Sequence, residues 1–381
     1  VTQYRLGGVD DWEVWDVDNP REFIEERELD DWLPHTAVSS RIDDVWSTTV
    51  SLPSDASQVY APARDNGLVM QTIQSLDLRD PFGGVAGTSI LGGPGTLYAS
   101  AESLFLAIAE PEWGPFSDPT GFPDTRVHKF DLGGAPSIPI YQASGQVTGT
   151  VFDSWAMDEH DGLFRIATSR EDAVLGNVSD MYVMEQVDGR LEVIAEVNEI
   201  GPNEVIYAAR YFDDVAYLVT FPEFIAIDAT DPLFTIDFSD PRNPVLRGEL
   251  IVTGYSTYLH PLGDDHLLAV GEEVDPDWGE MVGFQVSLYD VSDLDDPTLQ
   301  QRYLVPAGFN ASESLWDHHA FLYYEPHELF AVPVNTEDDW GDLRSAGLHV
   351  FRVTPEGGIV PIGVIDVTDL ASYGVDSQFT H

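Results

Sequence analysis

Ten histidines occur in the chain, and three of them, His160, His260 and His318, fall in the first strand of a recognisable hairpin. Imidazole is the commonest side-chain ligand for Zn, Cu, Ni and Fe, because its neutral ring nitrogen offers a lone pair near pH 7. Carboxylates stand beside two of the three, Glu159 before His160 and Asp317 before His318. Such neighbours orient an imidazole and raise its basicity. Brought face to face, these strands would compose a transition-metal site for Zn, Cu or Fe. An open coordination position there would activate water. The bland alternative is that the rings lie at different depths, each hydrogen-bonding a neighbouring element. His160 precedes the turn Asp161-Gly162 by one residue, His260 precedes Gly263 by three, and His318 precedes Pro326 by eight. His35, His266, His319, His327 and His349 read as loop or surface residues, and His381 is terminal.

Acidic loops are a second candidate. Asp275-Pro276-Asp277-Trp278-Gly279-Glu280 and Glu337-Asp338-Asp339-Trp340-Gly341-Asp342 both gather carboxylates around a glycine turn. That chemistry suits Ca²⁺, although neither loop fits the twelve-residue EF-hand pattern, and solvated turns explain them as well. Gly-x-Ser-x-Gly is absent, so the hydrolase nucleophile elbow is missing. Gly92-Gly93-Pro94-Gly95 is glycine-rich, but no phosphate-binding lysine follows it.

The elements that must carry these residues are short strands. Ser154–Thr168 reads as a hairpin turning at Asp161-Gly162, Ile206–Thr220 as one turning at Asp213-Asp214. Tyr255–Val270 turns at Gly263-Asp264-Asp265, and Trp316–Val334 near Pro326. Helical periodicity is scarce; residues 21–32 fit one or two helical turns and equally a strand and turn. A second element recurs, an apolar strand ending in aspartate before a polar turn, at Asp16, Asp237, Asp290 and, in degenerate form, Asp366. Spacings of 53 and 76 residues between the last three are loose. Repeated four-stranded units of roughly 40–50 residues are the mark of a β-propeller. Counting hairpins gives about seven antiparallel blades and dividing the length gives about eight, in a single domain over residues 1–381. In that fold the first strand of each blade faces the axis, so distant histidines could meet.

Composition narrows the partners. Asp and Glu number 67 against 17 Lys and Arg, a net charge of −50, with Lys129 the only lysine. Such a surface repels phosphate backbones and anionic headgroups, which excludes nucleic acid as a partner. It suits a saline setting, where screening relieves self-repulsion; capture of cations by the surface is the rival explanation. Cysteine is absent, removing disulfides, thiolate metal sites and thiol nucleophiles. No run of about 18 apolar residues exists for membrane insertion. Val1 in place of an initiator methionine points to a processed chain that has lost a targeting segment.

Several ordered stretches carry a resemblance to a known family. They include Ser39-Ser40-Arg41-Ile42, Gly95-Thr96-Leu97-Tyr98, Val127-His128-Lys129-Phe130 and Met157-Asp158-Glu159-His160-Asp161-Gly162. Ser256-Thr257-Tyr258-Leu259-His260-Pro261 and Ser312-Glu313-Ser314-Leu315-Trp316-Asp317-His318 continue the series to about residue 335. Together they resemble the secreted bacterial and archaeal C-terminal β-propeller family, a distant relation of WD40 repeats. The resemblance implies the propeller fold, export to the periplasm or cell exterior, and further strands at both ends. It also draws in His128, so the expected axial metal set becomes His128, His160, His260 and His318 with Glu159 and Asp317 around them.

Two readings of function follow. The first is an extracellular binding or structural module that engages a protein or polymer. The second is a metalloenzyme, hydrolase or oxidoreductase, built on the channel histidines. The first leads, because a propeller alone licenses no activity and no nucleophile motif is present.

Overall fold

The computed structural model describes residues 2–5, 36–42, 45–51, 56–61, 69–79, 85–110, 123–133, 138–222, 230–275, 281–306, 311–337 and 343–369. Their architecture is all-β: strands joined by tight turns and short 3-10 turns. The chain divides into two compact units.

The first unit comprises residues 1–154, 161–164 and 184–194. One sheet runs in the order Thr2–Arg5, Val69–Ser75, Ala86–Gly92, Val59–Tyr60. A two-stranded hairpin pairs Thr36–Ile42 with Val45–Ser51. An antiparallel meander follows: Thr96–Ala99, Ser103–Ala109, Asp124–Asp131, Ile140–Thr148. The inner strand 103–109 reads as a nearly unbroken apolar run because both its faces are covered. Ile73 and Ile90 of the first sheet pack on Leu104, Leu106, Ile108 and Phe130 of the meander.

A further meander, Met157–His160, Leu163–Asp172, Gly176–Val187, Arg190–Ile200, is split by the division, its strands giving residues to both units. Its Asp161-Gly162 and Asp188-Gly189 turns have positive φ at both central residues (50° and 79°, 48° and 77°), which is the type I′ geometry that matches strand twist. A lone parallel pair, Ser144 with Arg190, ties it to the preceding meander. Gly145 stands at that join because a Cβ there would lie 2.2 Å from the Leu191 carbonyl oxygen.

The second unit comprises residues 155–160, 165–183 and 195–381 and contains three complete four-stranded blades. These are 205–253 (Val205–Phe212, Val215–Phe221, Thr230–Asp237, Val245–Thr253), 255–306 (Tyr255–Leu262, His266–Val274, Met281–Asp290, Thr298–Pro306) and 322–366 (Leu322–Tyr324, Leu329–Glu337, Leu343–Thr354, Gly358–Asp366). Each is antiparallel throughout. Successive blades stack through apolar faces. Tyr217, Val219 and Leu233 meet Leu259, Leu267 and Tyr289 between the first two. Val270, Phe284 and Val286 meet Phe330, Val332 and Phe351 between the second and third. First strand lies beside first strand where 205–212 meets 255–262. The fourth strand is the outer edge; in Gly358–Asp366 it leaves Val360, Ile362, Val364 and Ile365 exposed.

Six four-stranded groups and one hairpin among the described residues agree with about seven blades. The turns foreseen at Asp161-Gly162, Asp213-Asp214, Gly263–Asp265 and Pro326 are all in place. The recurrent aspartates end strands for a local reason. Asp237 Oδ1 accepts from the Ser239 amide at 2.9 Å, Asp290 Oδ1 from Ser292 at 3.0 Å and Asp366 Oδ1 from Thr368 at 2.9 Å. Each carboxylate thereby caps its own turn. Asp131 makes the same bond to the Gly133 amide at 2.7 Å. Asp366 departs from the pattern in ending a fourth strand, whereas Asp237 and Asp290 end third strands. Residues 21–32, Asp16 and most of both acidic loops, 276–280 and 338–342, lie outside the described residues.

Candidate functional site

First strands from consecutive blades do converge in the second unit, but on an aromatic row. Trp155 sits in the 3-10 turn just before Met157–His160, and the Arg210 guanidinium of the next blade lies 4.1 Å over its ring. Trp155 presents edge-on contacts to Tyr258 (5.7 Å) and His318 (5.0 Å). Tyr258 stacks on His318 at 6.2 Å and meets Phe321 at 4.9 Å. Phe321 touches His260 at 5.2 Å, and His260 touches Tyr323 at 5.4 Å. Tyr258 and His260 share one face of their strand because side chains two apart point the same way.

The electrostatics follow from burial. His260 is pushed down to about 4, first by desolvation and then by the nearby positive charge of Arg210. It is therefore neutral at physiological pH, and its Nδ1 is buried without a hydrogen-bond partner. Burial also raises the Tyr258 hydroxyl above the usual phenol range, while Arg210 works against that rise.

His260 and Tyr323 line a cleft of about 620 Å³ together with Phe212 and three glutamates, Glu325, Glu328 and Glu356. The glutamates are exposed, in the turns after the first and third strands of the 322–366 blade. Their placement is local chemistry: Pro326 opens a 3-10 turn that ends at Glu328 with φ 56°.

The histidines expected to form one metal set have different surroundings. His128 belongs to the first unit, inside the strand Asp124–Asp131, where it is 3% exposed. Its Nδ1 lies 3.4 Å from the Tyr141 hydroxyl, and burial with Arg126 nearby lowers it to about 4. That is a neutral core histidine. His160 ends its short strand with Nε2 3.4 Å from Asp214 of the next blade, and Glu159 beside it is half-buried. His318 is not in a strand, as its hairpin reading had it. Asp317 caps a 3-10 turn over His318–Ala320, and the strand begins only at Leu322. Among the described residues, the one group of three potential ligands within metal reach is Asp317, His318 and His319. That group takes in His319, read as a surface residue without a role, alongside the expected Asp317 and His318. His349, also read as a loop residue, lies in the strand Leu343–Thr354.

Sequence reasoning missed Trp155, Arg210, Tyr258, Phe321 and Tyr323. The signal existed, since the first-strand positions that drew attention to histidines serve equally for aromatic and arginine side chains.

The comparisons fit this architecture. A family model described as a beta propeller domain matches residues 14–378. The chain belongs to the beta propeller domain family. An uncharacterized protein of the archaeon Methanocaldococcus jannaschii is 35% identical to this propeller over 239 residues, covering 62% of the chain and 34% of that protein. An uncharacterized protein of Archaeoglobus fulgidus is 35% identical over 211 residues, covering 55% of the chain and 29% of that protein. The propeller thus spans about a third of the length of these curated relatives. Among the described residues no helix is long and apolar enough to cross a membrane.

Proposed function

We propose that this propeller is a binding module working outside the cell, and that it takes a cationic segment of a partner protein in the cleft beside His260. Membership of the propeller family supports a binding or structural role in general terms. The finer reading rests on one observation. A cleft of about 620 Å³ joins two aromatic walls, Phe212 and Tyr323, to three carboxylates, Glu325, Glu328 and Glu356. Aromatic faces attract Lys and Arg side chains through their quadrupole, and the carboxylates supply the counter-charge. His260 adds no opposing charge, because burial keeps it neutral. The net charge of −50 steers any basic partner toward the surface, and the cleft gives it a place to stop. Export is supported by the family resemblance and by an acidic composition suited to a saline exterior.

Titration of the domain with a tetra-arginine peptide at 0.15 M salt tests the reading. Each exposed carboxylate is worth about 0.5 kcal/mol after screening. Joint replacement Glu325→Gln, Glu328→Gln and Glu356→Gln is therefore expected to weaken binding about tenfold. Replacing three exposed glutamates elsewhere, Glu171, Glu192 and Glu249, should leave it nearly unchanged. Equal losses in both triple variants would mean the peptide reads overall charge and has no seat in the cleft.

A further inference from the structure

We propose that Asp317, His318 and His319 form a solvent-open site for one divalent transition metal of the zinc type. The proposal stands apart from the cleft and its peptide; either can fail alone.

The three residues are consecutive, and the 3-10 turn they occupy is what brings their side chains together. Asp317 caps that turn, its Oδ1 accepting from the His319 backbone amide at 2.9 Å. The same oxygen lies 2.8 Å from the His319 ring Nδ1. An ion that displaces the proton shared by that oxygen and nitrogen takes both as ligands, since they already face one another. His318 is held from the other side. Trp155 meets its ring edge-on at 5.0 Å, Tyr258 stacks at 6.2 Å, and the two histidine rings are 4.1 Å apart.

One ligand atom from each residue lies within 4.8 Å of the other two. Bonds of about 2.0–2.1 Å in a tetrahedral site put ligand atoms roughly 3.3 Å apart. Closing the difference needs a turn of one ring, and His319, with 80% of its side chain exposed, is free to make it. Two imidazoles and one carboxylate suit zinc or ferrous iron better than calcium, which prefers oxygen donors. Three protein ligands leave a position for water. The bystander reading, three polar residues sharing a turn, explains the cap but gives no reason for the His319 ring to lie 4.1 Å from a His318 ring held by Trp155 and Tyr258.

The test uses the domain stripped with chelator and titrated with Zn²⁺ alone, in a large excess of Mg²⁺ to occupy carboxylate-only sites. One equivalent is expected to bind. His319→Gln is expected to weaken binding at least tenfold with unchanged thermal unfolding of the metal-free protein, since the ring is exposed. His318→Gln should weaken it similarly. Co²⁺ in place of Zn²⁺ should give the visible absorption of a nitrogen-ligated ion in wild type and lose it in His319→Gln. Absence of stoichiometric Zn²⁺ under Mg²⁺ would overturn the site, as would undiminished binding in the His318→Gln, His319→Gln double variant.

Discussion

Replacing Arg165 with leucine is expected to destabilise the second unit by about 3 kcal/mol, a large share of the 5–15 kcal/mol that holds a typical domain together. The side chain is 3% exposed and reaches across two blades. Its Nε donates to Asp158 Oδ2 at 2.9 Å, Nη2 donates to the same oxygen, and Nη1 donates to the Asp213 carbonyl at 2.7 Å. The guanidinium also lies 5.0 Å from the Tyr211 ring and 5.5 Å from Phe238. Leucine would fill much of the volume but remove the guanidinium that binds Asp158 and donates to the turn carbonyl of Asp213. Leaving behind one charge of a pair largely withdrawn from water, with Asp158 23% exposed, costs more than removing both. The double variant Arg165→Leu, Asp158→Leu should therefore recover part of the loss. Urea unfolding of the wild type and the two variants measures this. A single-variant loss below about 0.5 kcal/mol would mean that water already screens the pair.

His128 carries the second large effect, a dependence on acid. The folded ring takes a proton only near pH 4, because burial and Arg126 disfavour its cation, whereas the unfolded ring protonates near 6.5. Between those values the unfolded chain binds more protons, so the contribution of His128 is complete above pH 6.5 and drains away as pH falls toward 4. At 1.36 kcal/mol per pH unit the full loss is about 3 kcal/mol. In His128→Gln this component vanishes. Urea midpoints at pH 7, 5.5 and 4 should show the advantage of wild type over the variant shrinking with acid. Parallel curves would place the histidine in a wetter setting than the strand 124–131 provides.

Much of the scaffold was legible before any coordinates because its punctuation is local. Asp161-Gly162 can only be a tight hairpin turn, and Asp237 and Asp290 cap turns using nothing beyond their own next two residues. The convergence of first strands was legible too, since it follows from the fold. What converges was not. His260 and His318 meet Tyr258 and Phe321 because of how the last two blades stack, and stacking register leaves no trace in a single hairpin. His318 looked like a strand residue because it precedes the Pro326 turn within the aromatic-rich stretch 316–334. Two side-chain caps, Ser312 and Asp317, coil residues 313–320 into 3-10 turns instead. His128 looked like a candidate ligand only through the family resemblance; the structure shows it buried in the strand Asp124–Asp131 beside Tyr141.

The turn-capping aspartates alter how the great surplus of acid should be understood by anyone redesigning the molecule. Asp131, Asp237, Asp290 and Asp366 are not interchangeable with the rest of that surplus; each serves as a clasp on the turn that follows its own strand. A version tailored to dilute buffer can shed carboxylates freely from exposed edge strands. At these four positions only asparagine, which keeps the accepting oxygen, would preserve the joint.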